Sequence, residues 1–281
     1  FILILIFTTG SLLPFFKQAV SYKKKAGLAA FKPFPWWGWL SLAALSFFWF
    51  IAWTRFDLFK SIQAHTFFPI WLGFIFLVNA LICRTGRQPL TSDPFRLTLL
   101  FVVSAGFWWL FEYLNRFVGN WYYTGAQYPA AEYFLLATLS FSTVLPAVES
   151  VKSLLLTTDL FKNGFRQMTA FPWLGSRIFG WALTSISSIL LILIPAFPDP
   201  LFFLVWICPV FIFSGISIGT GRAHVFKAVE TGDYTLVAAY AAAALICGFF
   251  WELFNYYSLA KWHYQIPYVQ WGHLFEMPIL G

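Results

Sequence analysis

The chain has 281 residues, of which 60% are hydrophobic, 22% aromatic and 10% charged, with a formal net charge of +7. A soluble domain carries about 25% charged residues, so this composition excludes a water-clothed globule. With a mean hydropathy of +0.72 it predicts an all-α polytopic membrane protein. Nucleic acid is excluded as a partner, because the basic residues fall between apolar runs and form no stripe.

A span needs about 20 largely apolar residues. The apolar runs predict helices near 1–16, 36–54, 66–83, 97–118, 132–151, 176–195, 200–218 and 234–258, with a ninth starting near 269. The first and last runs are cut by the ends of the chain, so both read as truncated spans. Between the runs lie breakers and charges: Lys23-Lys24-Lys25, Arg84 to Arg87, Lys162 to Arg166 and Pro198-Asp199-Pro200. The 17–32, 84–96, 152–177 and 219–233 segments hold 14 of the 18 Lys and Arg residues, and the alternate segments hold four. The positive-inside rule makes the first set cytoplasmic. The expected location is therefore the bacterial inner membrane, crossed several times, with membrane lipid as an unavoidable partner.

The order of residues repeats. Phe67-Phe68-Pro69-Ile70-Trp71 matches Phe202-Phe203-Leu204-Val205-Trp206 at an offset of 135, as does Thr85-Gly86-Arg87 with Thr220-Gly221-Arg222. Glu112 and Asn115 match Glu252 and Asn255 at an offset of 140, and Trp121 and Tyr123 match Trp262 and Tyr264 one residue later. An echo at Phe34-Pro35-Trp36 and Phe171-Pro172-Trp173 opens each unit. Four predicted helices separate the copies, an even number, so the copies are expected to be parallel repeats of four helices. The division is then 1–33 for an extra helix and basic loop, 34–151 for the first repeat, 152–170 for a cytoplasmic connector and 171–281 for the second.

Within each repeat the informative residue is the acid. A rise of 1.5 Å per residue puts Glu112 and Glu252 about 8–10 Å inside the outer ends of their helices, where a carboxylate costs several kcal/mol unless it is partnered. The i, i+3 spacing places Asn115 and Asn255 on the same faces. Glu112 and Glu252 are thus the candidates for acid–base chemistry; the alternative role is a hydrogen bond between packed helices. Asn115, Asn255, Trp121, Tyr123, Trp262 and Tyr264 are candidate ligand contacts, although rings at a span's outer end also form an interfacial belt. Glu276 enters the ninth predicted helix near the depth of Glu252 and is a third candidate. Glu149, with Lys152 one turn on, reads as an interfacial ion pair.

Arg87 and Arg222 follow glycine in tight turns and read as orientation anchors or as lipid or phosphate contacts. Cys83, Cys208 and Cys247 sit in apolar runs as small hydrophobes. His65, His263, His273 and His224 show no spacing of a metal or haem motif, so no metal ligand is assigned, and no cofactor is identified.

Two stretches, FWWLFEYLNRFVGNWYY over 107–123 and WELFNYYSLAKWHYQIPYV over 251–269 with FEMPILG over 275–281, resemble a family of bacterial polytopic membrane proteins without an assigned activity. The order acid, Asn, Trp-x-Tyr, Pro, Glu is also similar to membrane-embedded carotenoid (lycopene) cyclases. The resemblance runs through Glu112, Trp121, Tyr123, Pro129 and Glu132 in the first copy. It departs where the cyclases carry two acids after proline and this chain has Pro129-Ala130-Ala131-Glu132. In the second copy no acid follows Pro267 before Glu276. What the resemblance implies is a lipophilic ligand between tandem repeats.

The expected function is thus a site between repeats for an isoprenoid, quinone, pigment or lipid, with paired glutamates handling protons. A non-catalytic subunit of a membrane electron-transfer or light-harvesting complex, packed against other membrane proteins, is the second class. A proton-coupled transporter is the third.

Overall fold

The computed structural model describes residues 13–14, 17–22 and 31–279. The helix expected over 1–16 and the Lys23–Lys25 cluster therefore lie outside the described residues, apart from a helical Leu13 and Pro14. The protein is helical, and among the described residues five helical segments are long and apolar enough to cross a membrane: Trp36–Trp53, Phe67–Arg84, Pro94–Val118, Ala130–Leu155 and Thr235–Tyr256. Two shorter apolar helices, Arg177–Leu193 and Leu204–Gly219, accompany them.

Local chemistry sets the boundaries. Helix α1 (Trp36–Trp53) starts after Pro35 and stops where Thr54 turns extended. Helix α2 (Phe67–Arg84) ends in the Thr85-Gly86-Arg87 turn, where Gly86 has φ of 80°. Helix α3 (Pro94–Val118) begins with Pro94 after Asp93, whose side chain accepts from the Arg96 N–H. It ends at the left-handed Gly119. Proline at the first position and glycine past the last match the backbone groups each terminus leaves unpaired.

The segment expected as one helix over 132–151 is two, α4 (Ala130–Ser142) and α5 (Val144–Leu155). Pro146 has no N–H to donate, and its ring crowds the carbonyl four residues back. Ser104 of α3 repairs the gap: its hydroxyl donates to the Phe141 carbonyl at 2.6 Å and accepts from the Leu145 N–H at 3.1 Å. A break at membrane depth is tolerated where a neighbouring side chain re-satisfies the backbone in this way.

After the short α6 (Asp159–Asn163) come α7 (Arg177–Leu193), the single turn α8 (Pro198–Leu201), α9 (Leu204–Gly219) and α10 (Thr235–Tyr256). Helices α7 and α9 approach so closely that a Cβ on Gly180 would sit 2.8 Å from the Gly215 carbonyl oxygen. Small residues four apart, Gly215 and Gly219, permit that approach.

The ninth helix is not formed over the described part of its range. Residues 269–279 instead make a turn and a two-stranded hairpin, β3 (His273–Leu274) and β4 (Met277–Pro278), reversing through a left-handed Phe275. Gly272, at φ of 64°, and Pro278 are poor helix interiors.

Hydrogen bonds fix which loops share an end. At one end Arg55 donates to the Tyr257 carbonyl, Tyr128 to the Ala64 carbonyl and Asn120 to the Phe202 carbonyl. At the other, the Lys32 N–H donates to Arg84, Met168 to Gly232 and Tyr234 to Phe165. The loops after α1, α3 and α10 thus lie close to one another, as do those around Lys32 and Arg84 and those around Met168 and Gly232. Near the second end, buried Asn79 donates to Ser150 at 2.8 Å and accepts from the Thr91 N–H, tying α2, α5 and the turn before α3 together.

The core lies around fully buried Trp71 on α2. Helix α3 packs on α9, and α10 packs on α2. Phe111 stacks on Trp206 of α9 at 4.9 Å, and Trp251 lies against Trp71 of α2 at 5.1 Å.

Candidate functional site

Helices α3 and α10 both end at the same face, because the strands that follow them pair. Strand β1 (Trp121–Thr124) runs antiparallel to β2 (Lys261–Tyr264), with Trp121 opposite Tyr264 and Tyr123 opposite Trp262. Side chains two apart on a strand share a face, so these four rings form one surface of the ribbon. The other surface carries Tyr122 stacked on His263 at 5.5 Å, with Thr124 beside them.

Asparagine holds each strand to its helix. The Asn115 amide donates to the Trp121 carbonyl at 2.7 Å and accepts from the Trp121 N–H at 3.3 Å. Asn255 makes the same pair with Trp262 at 2.8 and 3.0 Å. Both amides are committed to the ribbon backbone, and the cavity described below is lined by neither. These bonds hold the strands against their helices.

With the strands clamped, each glutamate receives two donors on a single oxygen. Glu112 Oε1 accepts from Trp121 Nε1 at 3.0 Å and from the Tyr123 hydroxyl. Glu252 Oε1 accepts from Tyr264 at 2.7 Å and from Trp262 Nε1 at 3.3 Å. Burial first, then the neighbouring glutamate charge, holds the Tyr123 and Tyr264 phenols well above their usual range. Both hydroxyls therefore keep their protons and donate. Bonds of this kind between membrane segments contribute about 0.6–2 kcal/mol each, which offsets part of the cost of an acid at this depth.

Both motifs bring a Trp and a Tyr donor to one glutamate oxygen, but Trp262 Nε1 also donates to the Tyr264 hydroxyl, at 2.9 Å, and the surroundings differ. A cavity of about 720 Å³ lies beneath the ribbon, between the halves. Its wall includes Trp108, Trp206 and Trp251 from the helices and Trp121, Tyr123, Trp262 and Tyr264 from the ribbon. Trp108 stacks on Trp251 at 5.4 Å and Trp121 on Trp206 at 5.1 Å, so the wall is a continuous aromatic sheet. Among the described residues Glu252 lines the cavity and Glu112 does not. Glu252 is 4% exposed, and its Oε2 is buried with no hydrogen-bond partner among the described residues.

Beside the two glutamates the helices differ one turn back, with Trp108 before Glu112 and Gly248 before Glu252. At the offset of 140, Trp108 corresponds to Gly248. A Cβ at Gly248 would meet nothing within 4 Å among the described residues, and Gly248 lines the cavity. The room an indole takes in the first copy is left open beside Glu252. Comparing the copies for mismatches as well as matches would have found Gly248; the wall tryptophans carry no such mark in a chain with 15 tryptophans.

Glu276 sits in the hairpin turn, not on a helix. It binds Lys261 Nζ at 2.6 Å and His263 Nδ1 at 3.0 Å, and His263 Nε2 meets Thr124 at 3.1 Å. Partial burial raises the Glu276 carboxyl, but the hydrogen bonds and charges of Lys261 and His263 outweigh it and set the group below its ordinary value. Its role is to fasten the hairpin, whose Leu274, Met277 and Pro278 close the cavity, to the outer surface of the ribbon.

Arg87 and Arg222 lie exposed at the opposite end, each after a left-handed glycine and far from the cavity wall. Glu149 does pair with Lys152, at 2.8 Å, but inside the protein and not at its rim: Arg96 and the Tyr240 hydroxyl complete the group at 2.6 and 2.9 Å. No family model matches the chain, and neither a curated protein nor a solved structure shows significant similarity to it.

Proposed function

We propose that this is a protein of the bacterial inner membrane, built from two parallel repeats, that holds a lipophilic molecule in the cavity between them. The observation that carries the reading is the pairing of an apolar, tryptophan-walled volume of about 720 Å³ with one buried carboxylate oxygen that lacks a partner. Small-molecule sites occupy about 300–1,000 Å³ and combine apolar walls with a few placed polar groups. The recurring Glu, Asn, Trp and Tyr bonds, and the reciprocal packing of α3 and α10, support the repeat. The excess of Lys and Arg on the end away from the ribbon supports a cytoplasmic location for that end.

Glu252 is the residue that meets the ligand. Glu112 holds Tyr123, which lines the cavity, and so shapes the site from behind. Any acid–base step on the ligand would belong to Glu252. Mass spectrometry of organic extract from protein purified into nanodiscs tests the reading. One lipophile per chain, enriched over the surrounding lipid, is the expected result. An extract matching the bulk lipid, together with stoichiometric co-purifying polypeptides, would move the assignment to an accessory subunit.

A further inference from the structure

The chemistry of the ligand's polar end follows from the vacant oxygen. Glu252 Oε1 already takes the Tyr264 hydroxyl and the Trp262 N–H, both donors. The Tyr264 hydroxyl accepts from the Trp262 N–H at 2.9 Å, which leaves its own proton for Glu252 Oε1. Glu252 Oε2 is buried and unpartnered among the described residues, in the wall of a largely apolar cavity. A buried acceptor left unmade carries its full desolvation penalty, so a ligand that supplies the missing donor gains more than its apolar contacts alone would give.

We propose that the cavity takes a lipid alcohol, with the hydroxyl donating to Oε2 of Glu252 and the hydrocarbon chain lying along the Trp108–Trp251 wall. The inference rests on the reading of this cavity as a lipophile site and names the class within it. A cationic head is disfavoured, because Lys261 also lines the cavity. A carbonyl or ether head brings an acceptor to an acceptor. The hydrocarbon end has room to leave between α4 and α10, where Leu139 and Leu245 line the cavity and are also exposed on the outside of the helices.

The test uses the full chain in nanodiscs, with intrinsic tryptophan fluorescence as the reading, since tryptophans wall the site. The probes are geranylgeraniol, its methyl ether and the parent hydrocarbon. The alcohol should bind about ten times more tightly than either of the others, the factor a single hydrogen bond to a charged group supplies. Glu252→Gln keeps an oxygen for Tyr264 and Trp262 and puts an N–H donor in place of Oε2, so it should erase the preference of alcohol over ether. If that variant does not fold, the wild-type ranking decides. Equal binding of all three probes overturns the hydroxyl contact and leaves the lipophile site standing. An ether that matches the alcohol while the hydrocarbon binds more weakly also overturns it, because Glu252 would then be the donor. No binding of any probe, with no lipophile in the extract, overturns both the class and the site.

Discussion

Gly248→Leu should leave the protein folded and empty the cavity. Glycine is the least favoured ordinary residue in a helix interior, by about 1 kcal/mol relative to alanine. At position 248 an added Cβ meets none of the described residues within 4 Å. The leucine side chain then occupies the volume beside Glu252, and co-purifying lipophile should fall at least about tenfold while the unfolding temperature holds or rises. Gly180 is the contrasting case, a glycine because the backbone of α9 lies against it. Gly248 has no such packing reason, which is why its openness points to a ligand. Undiminished lipophile in a folded Gly248→Leu protein would remove the cavity from the account.

The second large effect is on stability, at the end of the bundle away from the ribbon. Glu149 Oε1 binds Arg96 and Lys152, and Oε2 binds Tyr240. The Glu149 and Lys152 side chains are only 10% and 11% exposed, whereas Arg96 is 58% exposed. Glu149→Ala strands the Lys152 ammonium inside the protein, and breaking a buried pair from one side costs about 3–5 kcal/mol. Arg96 can turn outward, so the loss belongs mainly to Lys152. Removing both charges with Glu149→Leu and Lys152→Met should recover most of that loss, since apolar replacement of a whole buried pair is often neutral or better. Thermal unfolding in detergent measures both variants. A single variant within about 1 kcal/mol of wild type would mean that the cluster is hydrated and carries little.

That the chain forms long apolar helices was legible from hydropathy. The glutamates were legible as well, since an acid amid Phe and Trp is conspicuous at this composition. What Asn115 and Asn255 do was not. Helical spacing puts them beside the acids, but only the return of β1 and β2 supplies the backbone groups they bind. The ribbon itself joins segments about 140 residues apart, and no local pattern announces such a pairing. The break at Thr143 was readable from Pro146, while its repair by Ser104 depends on which helix packs alongside. Glu276 was misplaced because an apolar run near the end of the chain looks like a span until its glycine and proline are weighed.

The central claim is a ligand-sized cavity between the halves, with Glu252 in its wall. A cryo-electron microscopy map of the protein in nanodiscs, bound to a rigid antibody fragment, tests it most directly. Elongated density is expected beneath the β1–β2 ribbon, along Trp108 and Trp251, with one end within hydrogen-bond distance of Glu252 Oε2. A map in which α4 and α10 close against each other, leaving no volume beside Gly248, would contradict it.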